Sequence, residues 1–210
     1  MGKAETTVDP VGPGARRPDE LLSLARSAAE RDPTAASTLV LQVGGAMLST
    51  VRQVLGPGHP ETEDVTQEAV IAFLNSLKDF RGECSTRRYA QRVALFTALD
   101  ARRRLVAQRR LIDSDQVMED LPAVSPSTPL GDALSARRRE ILRKVLDSLP
   151  DVIAQALALH FVLGYTVDEI ATATASPPNT IWSRLRLGKQ ALRRLFAADA
   201  QLSDIFGGEE

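Results

Sequence analysis

Of the 210 residues only one is cysteine, Cys84, so no internal disulfide framework is possible and a reducing compartment fits. Histidine occurs twice, at His59 and His160, and neither has a Cys or His partner at metal-ligand spacing. That pattern excludes structural zinc and a His-based catalytic triad. No nucleophile–base set and no Gly-rich phosphate loop is present, so the expectation is a protein that is not an enzyme and needs no cofactor. Aromatics make up 4% of the chain, which leaves the core to Leu, Val, Ile and Ala, and Leu and Ala favour helix. No apolar run reads as approaching the ~20 residues that span a bilayer, and the N-terminus lacks a signal-peptide core. Met1–Thr6 fits the loose myristoylation pattern, but no polybasic patch supports it. The stretch reads as part of a disordered tail over residues 1–18, and the protein as cytoplasmic with no membrane insertion.

Charge is balanced overall, 26 Lys and Arg against 27 Asp and Glu, but not locally. Residues 1–80 carry 7 basic and 11 acidic groups, net −4. Residues 81–110 carry nine arginines against Glu83 and Asp100, net +7. Residues 111–135 hold five acids and no base, residues 177–196 hold five bases and no acid, and the end of the chain is acidic again. Two basic blocks on either side of an acidic stretch suggest two polyanion-binding surfaces, unless each is simply a solvated helix face.

The coarse reading is all-α, with no convincing strand. Helices are expected over 19–31, 35–55, 61–77, from after Ser85 to Arg110, 137–149, 151–163, 166–174 and 177–196. Residues 111–138, with Pro122, Pro126 and Pro129, read as an acidic linker between two small helical domains, 19–110 and 139–198. Residues 199–210 read as an acidic tail. As a coil the linker spans roughly 30 Å, and fully extended ~90 Å.

The C-terminal helices carry the most specific local signal. Gly164 is placed to end one helix, Thr166 and Glu169 form a capping box, and Ser176-Pro177 is placed to open the next. A short helix, a tight turn and a longer basic helix make a helix-turn-helix layout. On the last helix Ile181, Leu185, Gly188, Leu192 and Leu195 share one stripe at 100° per residue. Asn179, Trp182, Ser183, Arg186, Lys189, Gln190 and Arg193 gather opposite them. That side mixes base-reading with phosphate-binding types, as a major-groove helix requires. The earlier basic helix sets Arg88, Arg92, Arg103 and Arg110 in one sector, with an alanine seam (Ala90, Ala94, Ala98, Ala101) roughly opposite. Leu95, Leu99 and Val106 flank the arginines. Phe80, Tyr89 and Phe96 lie where they could stack on exposed bases or simply belong to a core.

The run from Phe80-Arg81-Gly82-Glu83-Cys84-Ser85 through Arg88-Tyr89 and Arg92 to Ala98-Leu99-Asp100 resembles region 2 of extracytoplasmic-function (ECF) sigma factors of the sigma-70 family. Asp64-Val65-Thr66-Gln67-Glu68 with Phe73 resembles the same family's core-binding helix. Leu149-Pro150, Gly164–Ala171 and Thr180–Leu185 resemble region 4. The resemblance implies a factor that binds core RNA polymerase, at the β′ clamp and β flap, and directs it to promoter DNA. Asp64, Gln67, Glu68 and Phe73 would then dock on the β′ coiled coil. Phe80, Arg81, Gly82, Ser85, Arg88, Tyr89, Arg92, Phe96 and Arg103 would hold the melted minus-10 strand. Asn179, Thr180, Trp182, Ser183, Arg184, Arg186, Lys189, Gln190 and Arg193 would meet the minus-35 element. An anti-sigma factor is the further partner implied. The chain departs from the family pattern at Tyr89 (usually Trp), Phe96 (usually Asn), Cys84 (usually Ser) and Trp182 (usually polar or basic). Arginines around Cys84 could depress its thiol pKa and make it a redox sensor, whereas conservative replacement of serine needs no such role. The rival reading is a two-domain helix-turn-helix regulator with an N-terminal sensing or dimerisation domain, which leaves Gln67, Glu68 and the loop 80–85 without a role.

Overall fold

The computed structural model describes residues 19–112 and 130–198; the expected N-terminal tail, the middle of the linker and the acidic end lie outside the described residues. Within them the elements are α1 (Leu22–Ala29), α2 (Pro33–Leu55), α3 (Thr62–Ser76) with a 3-10 turn Leu77–Asp79, α4 (Thr86–Ile112), α5 (Leu130–Ser148), α6 (Asp151–Phe161), α7 (Val167–Ala173) and α8 (Pro178–Ala198). No strand occurs among the described residues.

Local chemistry sets most of the boundaries. Asp32 caps α2, its carboxylate accepting from the Thr34 and Ala35 amides at 2.8 and 3.2 Å, with Pro33 in the first turn where its missing N–H costs nothing. Pro33 therefore starts α2 rather than separating two helices. The start of α4 is capped from far away: the Asp19 carboxylate accepts from the Thr86 amide at 2.7 Å and from its buried hydroxyl. A negative charge there also complements the helix dipole.

Two boundaries differ from expectation. Helix α5 starts at Leu130, seven residues ahead of Arg137, because a proline just before a helix does not prevent it. Helix α8 starts one residue late: the Pro177 carbonyl accepts from the Thr180 and Ile181 amides, so Pro177 is its cap residue and Pro178 its first. Ser176 does not cap; its hydroxyl accepts from Arg184 at 3.2 Å.

Helices α1 to α4 form the first bundle. Leu39, Val43, Met47, Val51 and Val54 of α2, Val65, Ala69 and Phe73 of α3, and Ala90, Ala94 and Ala98 of α4 are buried together. The alanine seam lets α4 lie close against its neighbours, as its spacing required. Contrary to the sequence reading, α2 is long and apolar enough to cross a membrane by length and composition. Leu39, Val43, Met47, Val51, Val54 and Leu55 of that helix are taken up by the bundle core, whereas Leu41 stands 83% exposed, and its one buried polar side chain, Thr50, donates to the Ala46 carbonyl. Helices α5 to α8 form the second bundle around Leu157, Leu159, Ile170, Ile181 and Leu185. There Gly188 of α8 faces Leu157 of α6 so closely that a Cβ would stand 2.8 Å from a Leu157 methyl.

The two bundles are not merely tethered. They share one continuous apolar cluster, with α5 packed on α2 and α4, and α6 on α4. Arg102 of α4 forms a bidentate ion pair with Asp147 of α5 and also donates to the Val54 carbonyl of α2 at 3.1 Å.

Candidate polymerase and nucleic-acid interfaces

On α3 the apolar residues Val65, Ala69 and Phe73 face the core, which leaves the opposite side to solvent. Asp64, Gln67 and Glu68 stand there, all exposed. Glu68 pairs with Arg104 of α4 at 2.9 Å, an exposed ion pair of small worth. Phe73 does not join them. It is fully buried on the core side, with its ring 6.0 Å from Tyr89, so its role is packing. In its stead the surface carries Ile71, 61% exposed and one turn beyond Gln67, at the middle of the same face. Sequence reading passed over it because an isoleucine in an amphipathic helix is ordinarily core; only its angular position between Asp64, Gln67 and Glu68 marks it.

The second site forms where the loop 80–85 meets α4. Gly82 holds φ +72°, a left-handed conformation that favours glycine, and lies against Leu22 of α1. Phe80 stacks on Tyr89 with ring centroids 4.5 Å apart and 22° between planes. The Arg92 guanidinium sits 5.0 Å from the Tyr89 ring centre, and the Tyr89 hydroxyl donates to the Ser76 carbonyl at 3.2 Å. Ser85 Oγ accepts from the Arg88 amide at 3.3 Å. Phe80, Gly82, Ser85, Arg88, Tyr89 and Arg92 are thus brought together, with Arg81 exposed beside them. Tyr89 is half buried between Phe80 and Phe73, so its ring is a wall of the site. Phe96, two turns along, packs against the core. Arg103 is roughly 22 Å farther down the helix than Arg88, at 1.5 Å per residue, and does not share this site. It pairs instead with Asp100 and with Asp151 of α6.

Cys84 is half buried in this loop. Burial pushes its thiol up, against the opposing pull of Arg92 and Arg88. The depressed thiol that an arginine-rich loop suggested is therefore not what the structure gives. The leucines that blurred the arginine sector are also explained: Leu95 and Leu99 are covered, Leu99 lying beside Leu146 of α5.

The third site is α8. The capping box is present, with Thr166 Oγ1 accepting from the Glu169 amide and the Glu169 carboxylate accepting from the Thr166 amide. Gly164, at φ +65°, turns the chain out of α6. Ile181, Leu185, Gly188 and Leu192 point inward, whereas Leu195, near the end of α8, is 37% exposed and falls outside the stripe. Asn179, Trp182, Ser183, Arg186, Gln190 and Arg193 are exposed on the outer side, Trp182 by 59%. Lys189 and Thr180 are partly covered. Arg184 turns back to the Ser176 hydroxyl, which suits it to hold the turn. Leu187, 46% exposed among the arginines, was not foreseen.

One group of contacts had no signature in the sequence at all. Arg88 of the second site pairs with Glu169 of α7 at 2.9 Å, and its guanidinium lies 4.2 Å from the centre of the buried Tyr165 ring. The Tyr165 hydroxyl in turn donates to the Arg88 carbonyl at 3.2 Å.

Comparison with known proteins accounts for both bundles. Residues 39–110 match the family described as sigma-70 region 2, and residues 133–192 that described as sigma-70, region 4. The ECF RNA polymerase sigma-E factor of Escherichia coli K12 is 30% identical over 169 residues, covering 77% of this chain and 86% of that protein. The RNA polymerase sigma-H factor of Pseudomonas aeruginosa is 29% identical over the same shares. The solved structure of CnrH in complex with the cytosolic domain of CnrY shares the fold, with a TM-score of 0.53 and 20% identity over 85% of this chain and 98% of that one. A chain whose described elements are all helices, which carries region 2 and region 4 in that order with this identity to the sigma-E factor, belongs to the ECF group of the sigma-70 family.

Proposed function

We propose that the three surfaces divide the work of a promoter-directing sigma factor between them, and the observation that carries the assignment is their separation on one chain. An acidic–polar face on α3 with an apolar centre, an arginine–aromatic cluster at the head of α4 that backs onto the core through Tyr89, and a basic outer face on α8 each present polar or charged side chains outside the core. A sigma factor binds core RNA polymerase and directs transcription initiation at promoters; it is an initiation factor rather than an enzyme, and it acts in the cytoplasm with the polymerase. In this reading Asp64, Gln67, Glu68 and Ile71 dock on the β′ clamp. The pocket of Phe80, Gly82, Ser85, Arg88, Tyr89 and Arg92, with Arg81 at its edge, receives the melted minus-10 strand. Phe80 stacked on Tyr89 offers one aromatic platform, and a base extruded from the duplex costs a few kcal/mol of stacking that such a surface offsets.

Helix α8 enters the major groove of the minus-35 element with Asn179, Arg186 and Gln190 toward base edges. Lys189 and Arg193 lie toward phosphates. Trp182 brings an apolar ring to the same groove, where thymine methyl groups are the apolar feature to meet. A protein partner of the anti-sigma class is proposed as well, as CnrH is seen with the cytosolic domain of CnrY. A helix-turn-helix regulator would explain α7 and α8 but gives the α3 face no partner.

The test is binding to core polymerase and run-off transcription. Gln67→Ala with Glu68→Lys should abolish both while leaving the circular dichroism spectrum unchanged, since both residues are exposed. Full affinity of that variant for core polymerase would remove α3 from the interface.

A further inference from the structure

We propose that an apolar ridge along the flank of α8 is a docking surface for the chain's own acidic tail, residues 199–210, which there competes with duplex DNA for the helix. The competition rests on the reading of α8 as a DNA-binding helix made above. Leu187, Ala191 and Leu195 follow one another at four-residue steps, the spacing of a single ridge about 12 Å long on a helix surface. Leu187 and Leu195 are 46% and 37% exposed, and Ala191 between them is partly covered. The core of the second bundle takes Ile181, Leu185 and Leu192 from this helix and leaves both leucines outside.

Charge and reach name the occupant. Residues 177–196 hold five bases and no acid, whereas residues 199–210 hold Asp199, Asp204, Glu209 and Glu210 and no base. Arg186, Arg193 and Arg194 are exposed and make no ion pair among the described residues. Arg194 adjoins the ridge, about 20° from Leu187 round the helix at 100° per residue. Leu202, Ile205 and Phe206 stand among the tail acids and supply the apolar groups that a ridge of leucines calls for. Helix α8 ends at Ala198. Leu195 lies about 4–5 Å and Leu187 about 16 Å back along the axis from there. Four residues of chain reach ~13 Å and eight reach ~27 Å when extended, so Leu202 can meet Leu195 and Phe206 can meet Leu187. Tethered to the end of the same helix, the segment meets the ridge at an effective concentration on the order of millimolar, an advantage no free partner has. Carboxylates and DNA phosphates then compete for the same arginines, in exposed pairings that are weak and screened by salt.

The full-length variant Leu202→Ser, Ile205→Ser, Phe206→Ser keeps every charge and should bind a short mixed-sequence duplex about three- to tenfold tighter. That is the gain expected if the tail leaves α8 free for about one-third to one-tenth of the time. Leu195→Ser alters the ridge from the other side, at a residue outside the reading face, and should tighten binding in the same direction. Added to the tail variant it should give no further gain, as two halves of one contact require. Docking itself is read without DNA. In the methyl-labelled full chain the Phe206 ring should show nuclear Overhauser contacts with Leu187 or Leu195 methyl groups, and Leu202→Ser should weaken them. Absence of those contacts would overturn the proposal. So would a measurable duplex affinity that the serine variant leaves unmoved while Asp204→Asn with Glu209→Gln and Glu210→Gln raises it, since plain repulsion between tail and DNA would then suffice. Ring contacts that fade on dilution, with a dimer in sedimentation, would make a second copy the occupant and overturn it too. A chain that shows the ring contacts yet binds no duplex, with or without its tail apolar residues, would keep the docking and fault the assignment of α8 to DNA instead.

Discussion

Exchanging Ile71 and Phe73 in turn separates docking from folding on a single helix. The two side chains lie two residues apart on α3 and point to opposite sides, one 61% exposed and the other fully buried. Complete burial of an isoleucine is worth about 1.5–3 kcal/mol. The 61% of Ile71 still open to solvent then leaves about 1–2 kcal/mol to be gained when a partner covers it, at that same area-based rate. Ile71→Ser should therefore weaken binding to core polymerase by roughly 5- to 30-fold, at about 1.4 kcal/mol per factor of ten. Its melting temperature should stay within a degree or two of the parent, since an exposed substitution changes stability by about half a kcal/mol or less. Phe73→Ala should do the reverse, costing about 3–5 kcal/mol of stability by opening a cavity next to Tyr89 and Ala69. At roughly 2–4 °C per kcal/mol for a chain of this size, that loss is visible in a thermal melt. The assays are fluorescence anisotropy of labelled protein titrated with core polymerase, and melts followed by circular dichroism. If Ile71→Ser binds as the parent does, the apolar centre of the α3 face is not part of the interface, whatever Gln67 and Glu68 contribute.

Other expectations follow from particular contacts. Asp19→Ala strips the Thr86 amide and its buried hydroxyl of their acceptor and should cost about 2–4 kcal/mol in urea unfolding, a cap plus an orphaned donor; a loss below 0.5 kcal/mol would mean the carboxylate does not hold α4. Gly188→Val places methyl groups into Leu157, which is fully buried, and should destabilise by about 1–3 kcal/mol through overpacking, measured by the same unfolding. Arg186→Ala should lose about 1–3 kcal/mol at one base position of the minus-35 element, whereas Arg193→Ala should weaken all sequences alike and lower the salt slope by about one unit. A salt titration on single-base variants distinguishes these, and uniform weakening by Arg186→Ala would mean that α8 docks by another face.

Much of the fold was legible because helices announce themselves by period and by their ends. The capping box at Thr166, the glycine at 164 and the alanine seam of α4 each require only local sequence, and each stands where its chemistry put it. The face of α8 followed from the same 100° step, while the polar residues of α3 came from motif likeness. What failed was information of another kind. Phe73 was carried into the docking set by motif likeness, although its place beside Val65 and Ala69 already pointed inward. Helix α5 was cut short because prolines 126 and 129 and the nearby serines read as loop, while a proline ahead of a first turn is neutral. Of the two readings of Cys84, the depressed thiol rested on the arginines near it in sequence, and burial, which depends on the whole fold, outweighs them; plain replacement of serine stands. Arg88 and Glu169 are 81 residues apart, and neither has a periodic reason to meet the other.

Asp19 reaches α4 across 67 residues of chain, and that closure bears on how the loop before α4 greets a nucleic-acid strand. One end of the loop is tied at Thr86 by the distant carboxylate, the other at Phe80 by the Tyr89 ring, and Gly82 between them rests on Leu22. Fixing a residue's backbone costs about 1–2 kcal/mol in conformational entropy, so ordering five loop residues on contact with DNA would cost about 5–10 kcal/mol. Here folding has already met that cost, so a strand bound as proposed would encounter a template rather than a tether. A truncation past Asp19 would then slow and weaken strand capture without deleting any residue of the proposed strand-binding set.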